Sequence, residues 1–262
     1  MKKASIAVVL AALLAGRVAV GADLSVQEIV KRAEHMAYYQ GKDGRAEVRM
    51  TITDSQGRTR NRRFVILRRD VADGGDQKFY VYFLEPADVR KMVYMVWKHT
   101  DRDDDRWLYL PALDLVKRIA ASDKRTSFAG SHFFYEDVSG RSINDDTHTL
   151  VETTPQHYVI NNIPKDPKTV EFSSYKVWID RKTFMPVKAE YLDKNGRKYR
   201  VVEALEIKEI QGFPTVVKSR VRDLRSGGNT VSEFTKIRYD VGIPERIFTE
   251  RYLRRAPRRY LR

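Results

Sequence analysis

The sequence predicts a mainly β, antiparallel fold in a single domain, and three observations predict it. From Gly44 onward apolar residues recur at every second position over many runs, the period of a half-buried strand. The joints between these runs are short and carry turn chemistry, which links antiparallel neighbours. No strand–helix–strand alternation occurs, which argues against a doubly wound sheet or an α/β barrel. The chain of 262 residues is 42% hydrophobic and 11% aromatic, a globular composition, with no fixed-period repeat or low-complexity linker to divide it.

Lys2 and Lys3 open the chain and precede an apolar run from Ala4 to Leu14. That length suits the apolar region of a signal peptide and falls short of the roughly twenty residues of a membrane span. Val20-Gly21-Ala22 supplies the small residues of a cleavage site, so residues 1–22 are expected to be a signal peptide cut after Ala22 and residues 23–262 a periplasmic domain. Arg17 and the Gly21-Ala22-Asp23 break leave nothing to extend the run into an uncleaved anchor. The chain has 0 Cys, which excludes disulfides and lipid attachment at a mature N-terminal Cys.

Ser25 and Glu28 fit a capping box. Val26, Ile29, Val30, Ala33, Met36 and Ala37 then follow helical spacing and end before Gly41, giving an amphipathic helix of about four turns. Ile29, Val30, Ala33 and Met36 are its expected covering face. Strands are expected near 45–53, 58–69, 76–84, 91–98, 105–110 and 115–119. A second set is expected near 148–153, 157–162, 173–180, 187–193, 197–210, 213–224 and 229–240. Asn195-Gly196 is the strongest hairpin signal among the joints. In Arg45 to Ile52 every second residue is apolar, as in a sheet with one wet face. Phe79 to Leu84 and Met92 to Trp97 are apolar on both faces instead, so both faces need a cover. A concave sheet holding an apolar ligand or a lid helix fits that pattern.

After Ile119 the chain becomes irregular yet rich in Phe and Tyr. This segment is either a flap over an apolar cavity or a loop folded down as a satellite core.

Net charge is +14, and removing Lys2, Lys3 and Arg17 with the leader leaves about +11. In a periplasm the natural anionic surface is lipid head groups, to which each clustered Lys or Arg adds roughly 1 kcal/mol. No nucleic-acid partner is expected. The basic tail from Arg251 to Arg262 either touches anionic head groups or a membrane partner, or is an ordinary solvated terminus.

No catalytic pattern stands out. His35, His99, His132, His148 and His157 are scattered, and neither His-Glu-x-x-His nor Gly-x-Ser-x-Gly occurs. Ser173 and Lys176 match Ser-x-x-Lys in spacing only, because strand positions three apart face opposite ways. Asp101, Asp103 and Asp105 begin like a calcium loop, but Arg106 and Ala112 stand where it needs Gly and Glu. No enzyme activity, cofactor or metal is expected.

Arg106-Trp107-Leu108-Tyr109-Leu110-Pro111-Ala112-Leu113, then Ser122-Asp123-Lys124-Arg125, then Tyr135-Glu136-Asp137 resembles the outer-membrane lipoprotein-sorting protein family, related to the carrier LolA and to RseB-type sensors. Phe83-Leu84-Glu85-Pro86-Ala87-Asp88-Val89 resembles the loop before that motif. Trp178-Ile179-Asp180 with Met185 to Tyr191 resembles the hairpin after it. Relatives often carry Gly about where Lys91 stands. The likeness spans nearly the whole mature chain. It implies a half-open antiparallel β-barrel of about eleven strands with lid helices on the concave side. It also implies a carrier that shuttles the acyl chains of a lipid or lipoprotein between envelope membranes, with an inner-membrane transporter of the RND/MMPL type as partner. A non-catalytic envelope sensor of RseB-like type is the alternative. On the carrier reading Tyr82, Tyr94, Met95, Trp97, Trp107, Tyr109, Phe128 and Phe134 are expected at the apolar cavity. Lipoprotein, hopanoid or sterol-like lipid and fatty acid place the same apolar demand on it.

Overall fold

The computed structural model describes residues 24–262, so the expected leader and its cut after Ala22 lie outside the described residues. Strands β1 (Asp43–Thr53), β2 (Thr59–Asp70), β3 (Gln77–Glu85), β4 (Val93–Lys98), β5 (Asp105–Leu110) and β6 (Leu115–Ile119) form one meander. Strands β7 (Asp146–Thr153), β8 (His157–Pro164), β9 (Phe172–Asp180), β10 (Pro186–Asp193), β11 (Lys198–Ile210), β12 (Phe213–Asp223) and β13 (Gly228–Tyr239) form the other. Each expected strand is present to within two residues at either end. The two meanders join by antiparallel pairing of β1 with β13 into a single sheet, ordered β6-β5-β4-β3-β2-β1-β13-β12-β11-β10-β9-β8-β7. The outermost strands β6 and β7 do not pair with each other, so the barrel stays half open with thirteen strands, against the eleven or so that the resemblance implied.

Local chemistry explains the turns. Asp54 Oδ1 accepts the backbone N–H of Gln56 at 2.9 Å and of Arg58 at 3.0 Å, while Gly57 takes φ +79°. Asp193 repeats the device on Asn195 and Arg197, both at 2.9 Å, with Gly196 at φ +75°. Asn195-Gly196 therefore turns inside a loop led by Asp193. The tightest joint is Gln211-Gly212, where both residues have positive φ, as a two-residue hairpin turn requires.

Helix α1 (Val26–Tyr38) starts at Ser25, whose hydroxyl accepts from the Glu28 N–H at 3.2 Å. Only this half of the expected capping box forms, because the Glu28 carboxylate pairs with Arg32 Nε at 2.7 Å. At the other end the Arg68 guanidinium donates to the carbonyls of Tyr38, Gln40 and Gly41, a cation placed at a helix C-terminus.

Two cores lie on opposite faces of β2–β5. On the concave face Phe64, Phe79, Val81, Phe83, Tyr94 and Val96 pack with Phe128. On the convex face Val65, Leu67, Tyr80, Val93, Met95 and Trp107 pack under Ile243, Ile247, Phe248 and Leu253 of the C-terminal segment, which carries α3 (Arg251–Arg254). The doubly apolar strands β3 and β4 are thus covered on both faces, each large buried side chain contributing roughly 1.5–3 kcal/mol. The convex face of β10–β13 is wet and carries cross-strand ion pairs such as Arg220–Glu203 and Lys218–Glu233.

Residues 120–145 run from β6 to β7, the two open edges, as a strap that contains α2 (Tyr135–Ser139). The strap is folded down onto the concave face. Phe128 is 2% exposed, and its ring centroid lies 5.9, 5.7 and 5.6 Å from those of Phe64, Phe83 and Tyr94.

Candidate functional site

The concave face encloses a cavity of about 550 Å³. Its roof is α1, through Val30, Ala33, Met36 and Ala37, together with Phe128, Phe133 and Val138 of the strap. Its wall unites the concave side chains of β1–β3 with those of β8–β13. The strap fills the β1–β4 side. Opposite it Val202, Ala204, Val216, Phe234 and Ile237 line the cavity and remain only partly buried. Such a contiguous uncovered apolar wall marks a binding surface.

Several polar groups in the lining are bonded to the protein itself. His148 sets Nδ1 2.7 Å from Asn162 Oδ1 and Nε2 2.7 Å from the Ile143 carbonyl. Asn162 Nδ2 donates to the carbonyls of Ile160 and Tyr175 at 3.2 and 3.1 Å. The Tyr175 hydroxyl donates to Asp146 at 2.6 Å, and burial pushes it well above the usual phenol range. Gln40 Nε2 donates to the carbonyls of Met36 and Pro214. Gln40 Oε1 is buried without a partner, but the lining is mainly apolar, so the cavity suits an apolar occupant. Among the described residues no group of acids and histidines is arranged to hold a metal ion.

A buried ionic cluster anchors the strap beside this cavity. Arg125 donates to Glu136 at 2.5 Å and to both carboxylate oxygens of Glu171 at 2.7 and 2.8 Å. Arg141 binds Asp146 at 2.8 and 2.9 Å, and Arg200 pairs with Asp137. Burial pushes the Glu171 carboxyl up, but hydrogen bonds and charge from Arg125, with the Tyr199 hydroxyl, outweigh it and hold the group down at about 2. Burial likewise opposes the charge on Glu136, and Arg125, Lys124 and Arg141 keep it below the usual carboxylate range. Arg125 also lies 4.9 Å over the ring of Phe134 and 4.8 Å over that of Phe172.

The residues expected at the cavity fall into three places. Phe128 lines it, as do Val30, Ala33 and Met36 of the expected lid face, while Ile29 packs beside it against Ile160 and Ile179. Tyr94 shares the concave side but lies beneath Phe128 and Tyr135, its hydroxyl donating to the Tyr135 carbonyl at 3.1 Å. Phe134 sits between Arg125 and Arg200 and does not line the cavity. Tyr82, Met95, Trp97, Trp107 and Tyr109 stand on the convex face under the C-terminal segment, where Trp97 Nε1 donates to the Phe248 carbonyl at 2.7 Å. The register explains the correction: Val81 pairs with Tyr94 and Tyr80 with Met95, so adjacent residues take opposite faces, and a run apolar on both faces carries no parity. The far wall, with Ala204, Val216 and Phe234, was not expected. The spacing of Ile243, Ile247 and Leu253 was the signal that a second cover existed for the convex face.

A family model described as an uncharacterized protein matches residues 75–255. No curated protein matches. A DUF1329 family protein from Desulfovibrio piger is 30% identical with a TM-score of 0.78, covering 87% of this chain and 98% of its own. A candidate outer membrane lipoprotein-sorting protein domain from Vibrio parahaemolyticus is 28% identical with a TM-score of 0.76, covering 87% of this chain and 96% of its own. A LolA superfamily protein from Nitrosomonas europaea shares the fold, at 20% identity and a TM-score of 0.67, over 87% of this chain and 99% of its own. Sequence identity of 30% over almost the full length of the Desulfovibrio protein establishes that the chain belongs to the DUF1329 family, and the Nitrosomonas protein shares its fold.

Proposed function

We propose that the protein is an exported periplasmic carrier that holds the acyl chains of a lipid or lipoprotein in the half-barrel cavity and moves them between envelope membranes. The observation that carries this reading is the apolar wall of Val202, Ala204, Val216, Phe234 and Ile237, which faces the cavity and is only partly buried by the described residues. A buried methylene gains about 0.8 kcal/mol, so a tail of about a dozen gains roughly 10 kcal/mol. That exceeds the lower part of the ~4–15 kcal/mol cost of association, so tail length alone can supply binding. The mainly apolar lining agrees with a ligand read by its tail. The expected leader over residues 1–22 would deliver the chain to the aqueous gap where lipids need shielding, and the description of the Vibrio relative points the same way. A transporter of the RND/MMPL type as giver or acceptor rests on the family resemblance.

The test is native mass spectrometry of protein purified from membrane-containing cells, with uptake of a fluorescent fatty acid. Bound acyl masses are expected. Ala204→Trp with Val216→Trp, which fills the wall, should reduce uptake at least tenfold while the fold survives. A clean apo mass with no uptake by the unmodified protein sinks the reading.

A further inference from the structure

We infer that the β5–β6 turn and the C-terminal segment together form a docking surface for an anionic bilayer. Leu113, at the tip of that turn, is 71% exposed. Next to it Asp114 takes φ +46° and binds α3: its Oδ1 accepts from Arg254 Nε at 2.9 Å and its carbonyl from Arg254 Nη2 at 3.2 Å. The apolar tip and the basic segment are therefore one surface.

Residues 241–262 carry Arg246, Arg251, Arg254, Arg255, Arg258, Arg259 and Arg262 against Glu245 and Glu250. Every one of these arginines is exposed. Among the described residues Arg254 alone of the seven makes an ion pair. The segment is also fixed in place. Ile247, Phe248 and Leu253 are buried, the Tyr80 hydroxyl donates to the Tyr252 carbonyl at 2.7 Å, and Arg45 donates to the carbonyls of Tyr260 and Leu261. The guanidinium groups are thus presented as a set array on the same face as exposed Arg118 of β6, which lies over the Trp107 ring. An acidic protein partner would satisfy the arginines but leaves Leu113 unexplained. A leaflet with anionic head groups takes both: the charges meet the head groups and Leu113 enters the boundary beneath them. This surface is on the opposite face from the cavity wall, and the inference stands apart from the carrier reading.

Co-sedimentation of the purified protein with vesicles tests it, using phosphatidylcholine alone against equal parts phosphatidylcholine and phosphatidylglycerol. Binding is expected on the mixed vesicles only, weakening as salt rises. The triple variant Arg255→Glu, Arg258→Glu, Arg259→Glu should bind roughly 100-fold more weakly, from about fivefold per basic residue. Leu113→Asp should lose about tenfold or more. Equal binding to neutral vesicles, or undiminished binding by either variant, overturns the inference, including the case of a purely protein-directed surface. Both variants change exposed side chains only, and fatty-acid uptake measured on the same samples should be unaltered. An uptake failure with vesicle binding intact would count against the cavity reading alone.

Discussion

Arg125 shows how single residues hold the strap. Its guanidinium joins Glu136, eleven positions away, to Glu171, forty-six positions away, and stacks on two aromatic rings. No sequence pattern announces partners so distant, which is why this cluster was illegible until the chain was folded. Its acid sensitivity has a definite sign. Glu171 is held at about 2, below its value of about 4.3 in an unfolded chain. Its contribution is fully present above about pH 4.5 and is lost as pH falls toward 2. Glu171→Gln should cost about 1–3 kcal/mol at neutral pH, and its thermal midpoint should fall less steeply than the parent's below pH 4.5. Parallel pH profiles for the two proteins would contradict this. Lys91 is a second residue-scale point. It stands at φ +67°, a left-handed position that suits glycine.

At the scale of elements, strand positions were legible because a strand with one wet face writes its period into the sequence. Which face of β3 and β4 looked inward was not. Tyr80 and Met95 are as apolar as Val81 and Tyr94, and only the cover on each side tells them apart. The C-terminal segment was read through its arginines, which hid the four apolar residues that dock it. Phe248 is the centre of that contact, and Phe248→Ala should destabilise the protein by about 3–5 kcal/mol. Loosening of the segment should also move the emission of Trp97 and Trp107 to longer wavelength as water reaches them. A denaturation midpoint unchanged from the parent would show that the segment contributes nothing to stability.

At the scale of the whole molecule, the single-domain expectation for residues 23–262 becomes a proposal about cooperativity. The two meanders meet through the β1–β13 ladder and are tied again by the strap, so they should unfold together. Trp97 and Trp107 report on one meander and Trp178 on the other. Variants keeping one set or the other should give coincident denaturation midpoints, matching far-ultraviolet circular dichroism. Separated transitions would divide the chain into two folding units. The family motif located the strap region in the sequence, but its course from one open edge to the other is a property of strand order, which no local pattern encodes.

That course has a mechanical consequence. A closed barrel has a circumference fixed by its hydrogen-bonded strands, whereas here the last gap is spanned by covalent chain. The girth can therefore change without breaking a ladder, which the proposed carriage of tails of differing bulk would require. The hazard of such an opening is that free strand edges recruit other molecules into fibres. Here β6 is five residues long and bears Lys117 and Arg118, and β7 is interrupted by a bulge between Leu150 and Glu152. The gap can widen while each edge remains a poor template for a second copy.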